Sequence, residues 1–295
     1  MRFANATYAA AFAAAIQMGA AAAAPAGGGA TDAKRIVSAF LCTDEYVFRL
    51  LPRARIAGLS YLSADIHPVV STIAGQVKGI PLIRASAEQV LTLHPDLVVT
   101  YENTNVRQTQ LLRAAGVRVL EVPWAQSLAD VRRITMMLGA QLGAGARSEA
   151  LLKQMDSDLA RAHAEGSRPA VRTLIYEPNG YATGGGVTEE ILSAAGLQNI
   201  GTGGHLTRAG TLPVENVLTL APELLILNGG SERAPARADL VLRHPALRAL
   251  GSGTLVARTS LVPLLCPGPW SVSVAPELAA WGRKARTLAA QHRGP

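Results

Sequence analysis

One carboxylate-led phrase occurs twice in this chain. Glu88-Gln-Val-Leu-Thr-Leu-His-Pro-Asp-Leu-Val-Val-Thr100 and Glu215-Asn-Val-Leu-Thr-Leu-Ala-Pro-Glu-Leu-Leu-Ile-Leu227 agree at seven of thirteen positions. Each reads as a short helix with an acid in its first turn, where the helix dipole favours it. A proline then ends the helix and a buried strand follows. Glu88 and Glu215 are favourable helix starts on one reading. On the other, each half of the molecule presents one exposed carboxylate on the same side, a pair suited to docking on a two-fold partner.

Other side chains able to do chemistry are few. Aromatics make up only 4% of the chain, yet Tyr61, Tyr101, Trp124, Tyr181 and Trp270 all fall where apolar runs end. Aromatic walls suit a flat or bulky ligand; the same rings could also pack loop ends. Cys42 and Cys266 fall at such ends too, as does Asn228. The two thiols could form a bridge, touch a ligand or lie inert in the core. His205, in a Gly-rich loop, could ligate iron or cobalt or simply be solvated. Arg208 nearby could meet an anion or serve as surface charge. Thr183-Gly-Gly-Gly186 lacks the G-K-[ST] of a nucleotide loop and the G-x-G-x-x-G spacing. No G-x-S-x-G or H-E-x-x-H occurs, and the six histidines form no ligand pattern. Nothing here asks for catalysis.

The elements that position these residues alternate strand and helix. Apolar runs at 35–40, 56–60, 97–100, 117–122, 171–176, 224–227 and 255–257 predict strands. Thr43 is placed to cap a helix with Asp44 and Glu45 in its first turn. Ser86 with Gln89, and Ser127 with Asp130, predict two more helix starts. A helical pattern of five turns runs from 146 to 165, and a closing helix from 276 to 290. Such alternation predicts an α/β fold with mainly parallel sheets, and the long helix interrupts it once. Leu111-Leu-Arg-Ala-Ala-Gly116 recurs as Ala246-Leu-Arg-Ala-Leu-Gly251, so two halves with equivalent βα units are expected. Ligands of open α/β sheets bind beyond the carboxyl ends of strands. That rule collects Cys42, Tyr61, Tyr101, Trp124, Tyr181, Asn228, Cys266 and Trp270 as the expected ligand rim.

The chain has 295 residues, 49% hydrophobic and 17% charged, ample for a packed core. Its net charge of +7 comes from scattered arginines rather than runs, which argues for a solvated surface and against nucleic acid. Met1-Arg2, the apolar stretch from Tyr8 to Ala24 and the small residues after it read as a signal peptide over 1–26. No cysteine lies near the expected cleavage region, so no lipid anchor is predicted. A soluble, exported protein is the expectation.

Taken in order, Arg35-Ile-Val-Ser38, Cys42-Thr-Asp-Glu45, Arg55-Ile-Ala-Gly-Leu-Ser60, Ser86-Ala-Glu-Gln-Val-Leu91, His94-Pro-Asp-Leu-Val-Val99, Gly180-Tyr-Ala-Thr-Gly-Gly185, Ala194-Ala-Gly-Leu-Gln-Asn199 and Pro213-Val-Glu-Asn-Val-Leu218 resemble the class III periplasmic binding proteins of ABC importers. That family binds vitamin B12, iron siderophores and haem. The resemblance covers nearly all of the chain after the leader. It implies two Rossmann-like lobes joined by one long connecting helix, with the ligand cleft between them: an N-terminal lobe over 30–142, the connector over 143–168 and a C-terminal lobe over 169–295. It implies a periplasmic monomer that binds a small molecule, a cobalt- or iron-containing chelate among the candidates, with no intrinsic cofactor. The partner is then an ABC permease dimer in the inner membrane, with Glu88 and Glu215 pairing with permease arginines. An exported α/β enzyme with an unrecognised site, or a haem or metal-chelate chaperone working without a transporter, are the alternatives.

Overall fold

A computed structural model describes residues 32–292, apart from 66–68, 85, 203–205, 208–209, 230–236, 249 and 252. The leader, His205 and Arg208 lie outside the described residues. The first sheet holds β1 (Ile36–Ser38), β2 (Ile56–Ser60), β3 (Leu82–Ile83), β4 (Leu97–Tyr101) and β5 (Arg118–Val122). Its order is β3-β2-β1-β4-β5, and every pair is parallel. The second sheet holds β6 (Val171–Tyr176), β7 (Ala182–Thr183), β8 (Leu197–Asn199), β9 (Leu224–Asn228) and β10 (Leu255–Thr259). Its order is β10-β9-β6-β7, with β8 beside the start of β6, and β6–β7 is its antiparallel pair.

Side-chain type explains the strand positions. β4 is Leu-Val-Val-Thr-Tyr with all five residues buried, and β9 is Leu-Leu-Ile-Leu-Asn with its first four buried. Continuous apolar runs of this kind belong at the centre of parallel sheets covered on both faces. The outer strands β5 and β10 carry Arg118, Glu121 and Arg258, charges that keep a sheet edge from pairing further.

The helices are α1 (Leu41–Leu50), α2 (Ala87–Thr92), α3 (Val106–Ala114), α4 (Leu128–Gln141), α5 (Gly145–Glu165), α6 (Gly186–Ala194), α7 (Val214–Leu220), α8 (Pro245–Arg248), α9 (Val262–Leu265) and α10 (Ala275–His292). Among the described residues no helix is long and apolar enough to cross a membrane. The Ser86 hydroxyl accepts from Gln89 N at 3.2 Å and the Ser127 hydroxyl from Asp130 N at 3.1 Å, as the capping patterns predict. Thr43 is not a cap. α1 starts two residues earlier, and the buried Thr43 hydroxyl donates instead to the Phe40 carbonyl at 2.9 Å.

The sequence repeat extends to individual hydrogen bonds. Arg35, just before β1, donates to the carbonyls of Leu93 (2.6 Å) and His94 (3.1 Å) at the end of α2. Arg172, in β6, donates to the carbonyls of Leu220 (2.6 Å) and Ala221 (3.2 Å) at the end of α7. His94 and Ala221 both take left-handed φ values, 45° and 42°. Asp96 accepts from the Arg35 N–H at 2.9 Å, and Glu223 from the Arg172 N–H at 3.0 Å. Each lobe thus ties the end of its short helix to its first strand through one arginine and one acid.

α5 runs about 31 Å at 1.5 Å per residue and stands between the sheets in sequence. Its buried Leu152, Met155 and Ala162 join the core of the second lobe, while Leu151 packs against the core of the first. α4 can approach α5 closely because Gly139 has no side chain; a Cβ there would meet Ser148 Oγ at 2.2 Å. The chain also crosses back: the segment 262–274, after β10, places Cys266 and Trp270 in the core of the first lobe. Cys42 and Cys266 form a disulfide across 224 residues of sequence. On a chain-entropy account, closing so long a loop removes on the order of 5 kcal/mol of unfolded-state freedom.

Candidate functional site

In both sheets the helices start at the carboxyl ends of the strands, so strand-end side chains and first-turn residues share one side of each lobe. On the first lobe that side carries three rings in mutual contact. Phe40 follows β1, Tyr101 ends β4 and Trp124 follows β5. Tyr101 and Trp124 stack at 4.3 Å with planes 17° apart. Phe40 meets both edge-on, at 5.5 Å and 5.8 Å. The Trp124 indole N–H donates to the Glu102 carbonyl at 3.3 Å, which fixes the ring's direction. Tyr101 is 1% exposed and Trp124 41%. The result is a flat indole face backed by the buried Tyr101 ring and the partly buried Phe40 ring.

Tyr61 and Arg84 form a second feature of the carboxyl side, at the opposite end of the strand order from Trp124. β2 pairs with β3 through Ser60 and Ile83, so the next residue of each strand lies side by side. The Arg84 guanidinium sits 4.8 Å above the exposed Tyr61 ring. A cation held over an aromatic ring at the surface can meet an anionic group.

On the second lobe, Asn228 is committed to the scaffold. Its Nδ2 donates to Glu177 Oε1 at 3.0 Å, and its Oδ1 accepts from Leu261 N at 2.9 Å. Glu177 also accepts from the Thr183 hydroxyl. Tyr181 is exposed and bridges to Thr211. Tyr176 donates its hydroxyl to the Leu212 carbonyl at 2.8 Å, and burial, then the nearby Glu215, pushes its pKa up to about 12.

The eight expected rim residues therefore separate. Tyr61, Trp124 and Tyr181 are open to solvent, and Asn228 is half-buried. Tyr101 is the last residue of β4 rather than part of the loop beyond it, and it lies beneath Trp124. Cys42, Cys266 and Trp270 face inward. Of the three roles left open for the cysteines, the bridge is the one that forms. Trp270 is 9% exposed, edge-on to Tyr46 at 4.7 Å and under the Arg49 guanidinium at 4.5 Å. Its ring folds back on its own backbone where Gly268 leaves room; a Cβ there would sit 2.4 Å from the indole. Phe40 and Arg84 were not anticipated. Phe40 obeys the same strand-end rule as the others, one residue before the expected rim. Arg84 follows a two-residue strand too short to show periodicity.

The lobes also touch beside Trp124. The Leu128 N–H donates to Glu190 Oε2 of α6 at 2.8 Å. A Cβ at Gly186 would come within 3.4 Å of the Gln126 carbonyl. Ala125 packs on the cores of both lobes. The aromatic platform is thus at the junction of the lobes. A surface hollow of about 530 Å³, lined in part by Arg172, Glu223, Arg286 and His292, lies instead at the opposite end of the second sheet. No cluster of three metal-ligating side chains occurs among the described residues.

Glu88 and Glu215 occupy matching places, each exposed in the first turn of the short helix of its repeat, α2 and α7. Neither forms an ion pair among the described residues.

Comparison with known proteins places this geometry. A family model described as periplasmic binding protein matches residues 75–253. An ABC transporter substrate-binding lipoprotein of Bacillus subtilis (strain 168) is 30% identical over 129 residues, 43% of this chain and 40% of that protein. The match therefore spans less than half of that relative's length. A periplasmic haem-binding protein from Pseudomonas aeruginosa is 25% identical, with TM-score 0.60, over 85% of this chain and 93% of that one. The periplasmic vitamin B12 binding protein of Vibrio cholerae is 18% identical, with TM-score 0.63, over 86% and 98%.

Proposed function

The chain belongs to the periplasmic binding protein family, and on that premise we propose that it is the solute-binding component of an ABC importer. It captures a tetrapyrrole or metal chelate, of the class of cobalamin, a ferric siderophore or haem, and delivers it to a permease. The observation that carries the delivery role is the equivalence of Glu88 and Glu215. Two exposed carboxylates, one per lobe, at the same place in the same repeated unit, match a partner built from two like subunits. Charge pairs of this kind fix register and speed encounter.

The Trp124 face supports the ligand class. An aromatic surface at one end of the sheet's carboxyl side, with the Arg84 cation at the other end of that side, suits a large flat ligand bearing anionic substituents. The similar proteins of Pseudomonas aeruginosa and Vibrio cholerae are named for haem and vitamin B12. The protein works as a soluble periplasmic monomer, it does no chemistry on its cargo, and the cobalt or iron belongs to the cargo rather than to a resident cofactor.

The test has two parts. The mature protein is titrated with hemin, cyanocobalamin and a ferric siderophore, following absorbance and Trp fluorescence. Saturable binding of one of them is expected; binding of none sinks the ligand class. Uptake of that ligand is then measured in cells carrying Glu88→Ala/Glu215→Ala. The variant is expected to bind normally and to lose uptake. Normal uptake with this variant removes the docking role.

A further inference from the structure

We propose that the Cys42–Cys266 disulfide is a positioning bridge for the ligand cleft: it fixes the aromatic platform of the first lobe against the wall of the second, so that the ligand enters a slot of set width.

The bridge joins the start of α1 to the residue just after α9. Cys42 lies two residues beyond Phe40, the ring that meets Tyr101 and Trp124 edge-on. Cys266 follows Leu265, an exposed apolar side chain of the second lobe. At the other end of the platform, Trp124 lies two residues before Gln126, whose carbonyl approaches Gly186. Both ends of the platform are therefore two residues from a crossing between lobes, and only one of these crossings is covalent.

The non-covalent contacts around the bridge hold the same seam less stringently. Trp270 brings its ring to Tyr46 and Arg49 of α1, and its indole N–H donates to the Cys266 carbonyl at 3.0 Å. Arg49 is in turn held by Glu45 and by the Thr72 hydroxyl. These contacts constrain the seam by packing, with no bond across it. A disulfide allows separations between the two α-carbons only within a narrow range, here 4.9 Å. The bridge lies in the core of the first lobe, where Trp270 stays packed on Tyr46 without it, and each lobe keeps its own sheet, so loss of the bridge frees the seam while both sheets remain formed.

The experiment compares the oxidised full-length mature protein, the same protein reduced by a phosphine with intact mass confirming two added hydrogens, and Cys42→Ala/Cys266→Ala. Hydrogen–deuterium exchange is the primary readout because it needs no ligand. Reduction is expected to raise exchange about tenfold more in peptides covering 41–50 and 262–274 than in β4 and β9, and the double variant is expected to match. Reoxidation should reverse the change. Unchanged exchange in those peptides after complete reduction overturns the proposal, since packing alone would then hold the seam. A rise in β4 and β9 as large as that in those peptides also overturns it, because the bridge would then hold the whole fold rather than the cleft. Ligand affinity rests on the function proposed above and serves as the second readout. Hemin or cyanocobalamin, whichever binds the oxidised protein, is expected to bind the reduced protein at least tenfold more weakly, and equal affinity counts against a positioning role. Should neither bind, the ligand class fails while the exchange result still decides the bridge.

Discussion

The indole of Trp124 lies 4.3 Å from the ring of Tyr101 and within 17° of parallel. Tyr101 is buried at the end of a central strand, so it is a fixed base beneath the exposed Trp124 ring, the face proposed to meet the cargo. Trp124→Ala removes that surface without opening a core cavity. Affinity for the cargo identified by titration is expected to fall about tenfold, or about 1.4 kcal/mol, with little change in melting temperature. Trp124→Phe should recover most of the loss. Calorimetric titration beside thermal melts checks both, and an unchanged affinity in Trp124→Ala would show that the cargo sits elsewhere.

Arg35 and Arg172 perform the same task in separate lobes, each holding the last carbonyls of a short helix. Both sites are exposed, so screening limits their worth. Arg35→Ala and Arg172→Ala are each expected to cost about 1 kcal/mol in urea unfolding. Because the sites share no partner, the double variant should lose the sum to within about 0.5 kcal/mol. Lysine should not rescue either position, since one ammonium cannot span two carbonyls as the guanidinium fork does.

What the sequence revealed follows from how local each signal is. The buried strands β4 and β9, the Ser86 and Ser127 caps and the long helix over 145–165 leave short-range patterns, and all were readable. The repeated phrase was readable too, and the arginine–acid ties show why an acid recurs at its ninth position, Asp96 and Glu223. Which strand-end residues face solvent was only half legible. Strand-end position gives a residue's height along the sheet but not the direction its side chain takes. Trp124 and Tyr181 turn outward, whereas Trp270 turns in because Gly268 gives its ring a place to lie. Pairing Cys42 with Cys266 needs the chain to return from β10 to α1, a contact over 224 residues with no local trace. Thr43 misled as a cap because Phe40, an apolar residue with extended backbone, holds that position without any side-chain hydrogen bond.

Gly139 marks where α4 and α5 come closest. Gly139→Ala would drive a methyl into the Ser148 side chain, which is buried and donates to the Gly145 carbonyl at 2.7 Å. Overpacking of this kind costs about 1–3 kcal/mol. Ser148→Gly in the same chain should restore part of the loss by clearing the hydroxymethyl group. Melting curves of the two single variants and the double variant test the coupling; independent effects would mean that the helices separate rather than clash.

Asp44 supplies a pH signature for the first lobe. Its carboxylate is buried in α1 and accepts from Ser60 N at 3.1 Å and from the Ser60 hydroxyl. Burial raises its pKa well above the ordinary 3.8, and the bonds from Ser38 and Ser60 only partly oppose this, with the neighbouring Glu45 raising it further. A raised value in the fold means that the folded state holds the proton more tightly than the unfolded chain. The associated stability is complete below 3.8 and is lost as pH climbs through the folded value. Asp44→Asn keeps an acceptor for Ser60 but cannot ionise. Relative to this variant, the parent protein should therefore lose melting temperature as pH rises from about 3 to about 7. Other acids such as Asp96, whose pKa is lowered chiefly by the Lys34 N–H, are common to both proteins and cancel in the difference. A gap that stays constant, or that moves in the parent's favour with rising pH, would show that Asp44 is ionised in the fold at no cost.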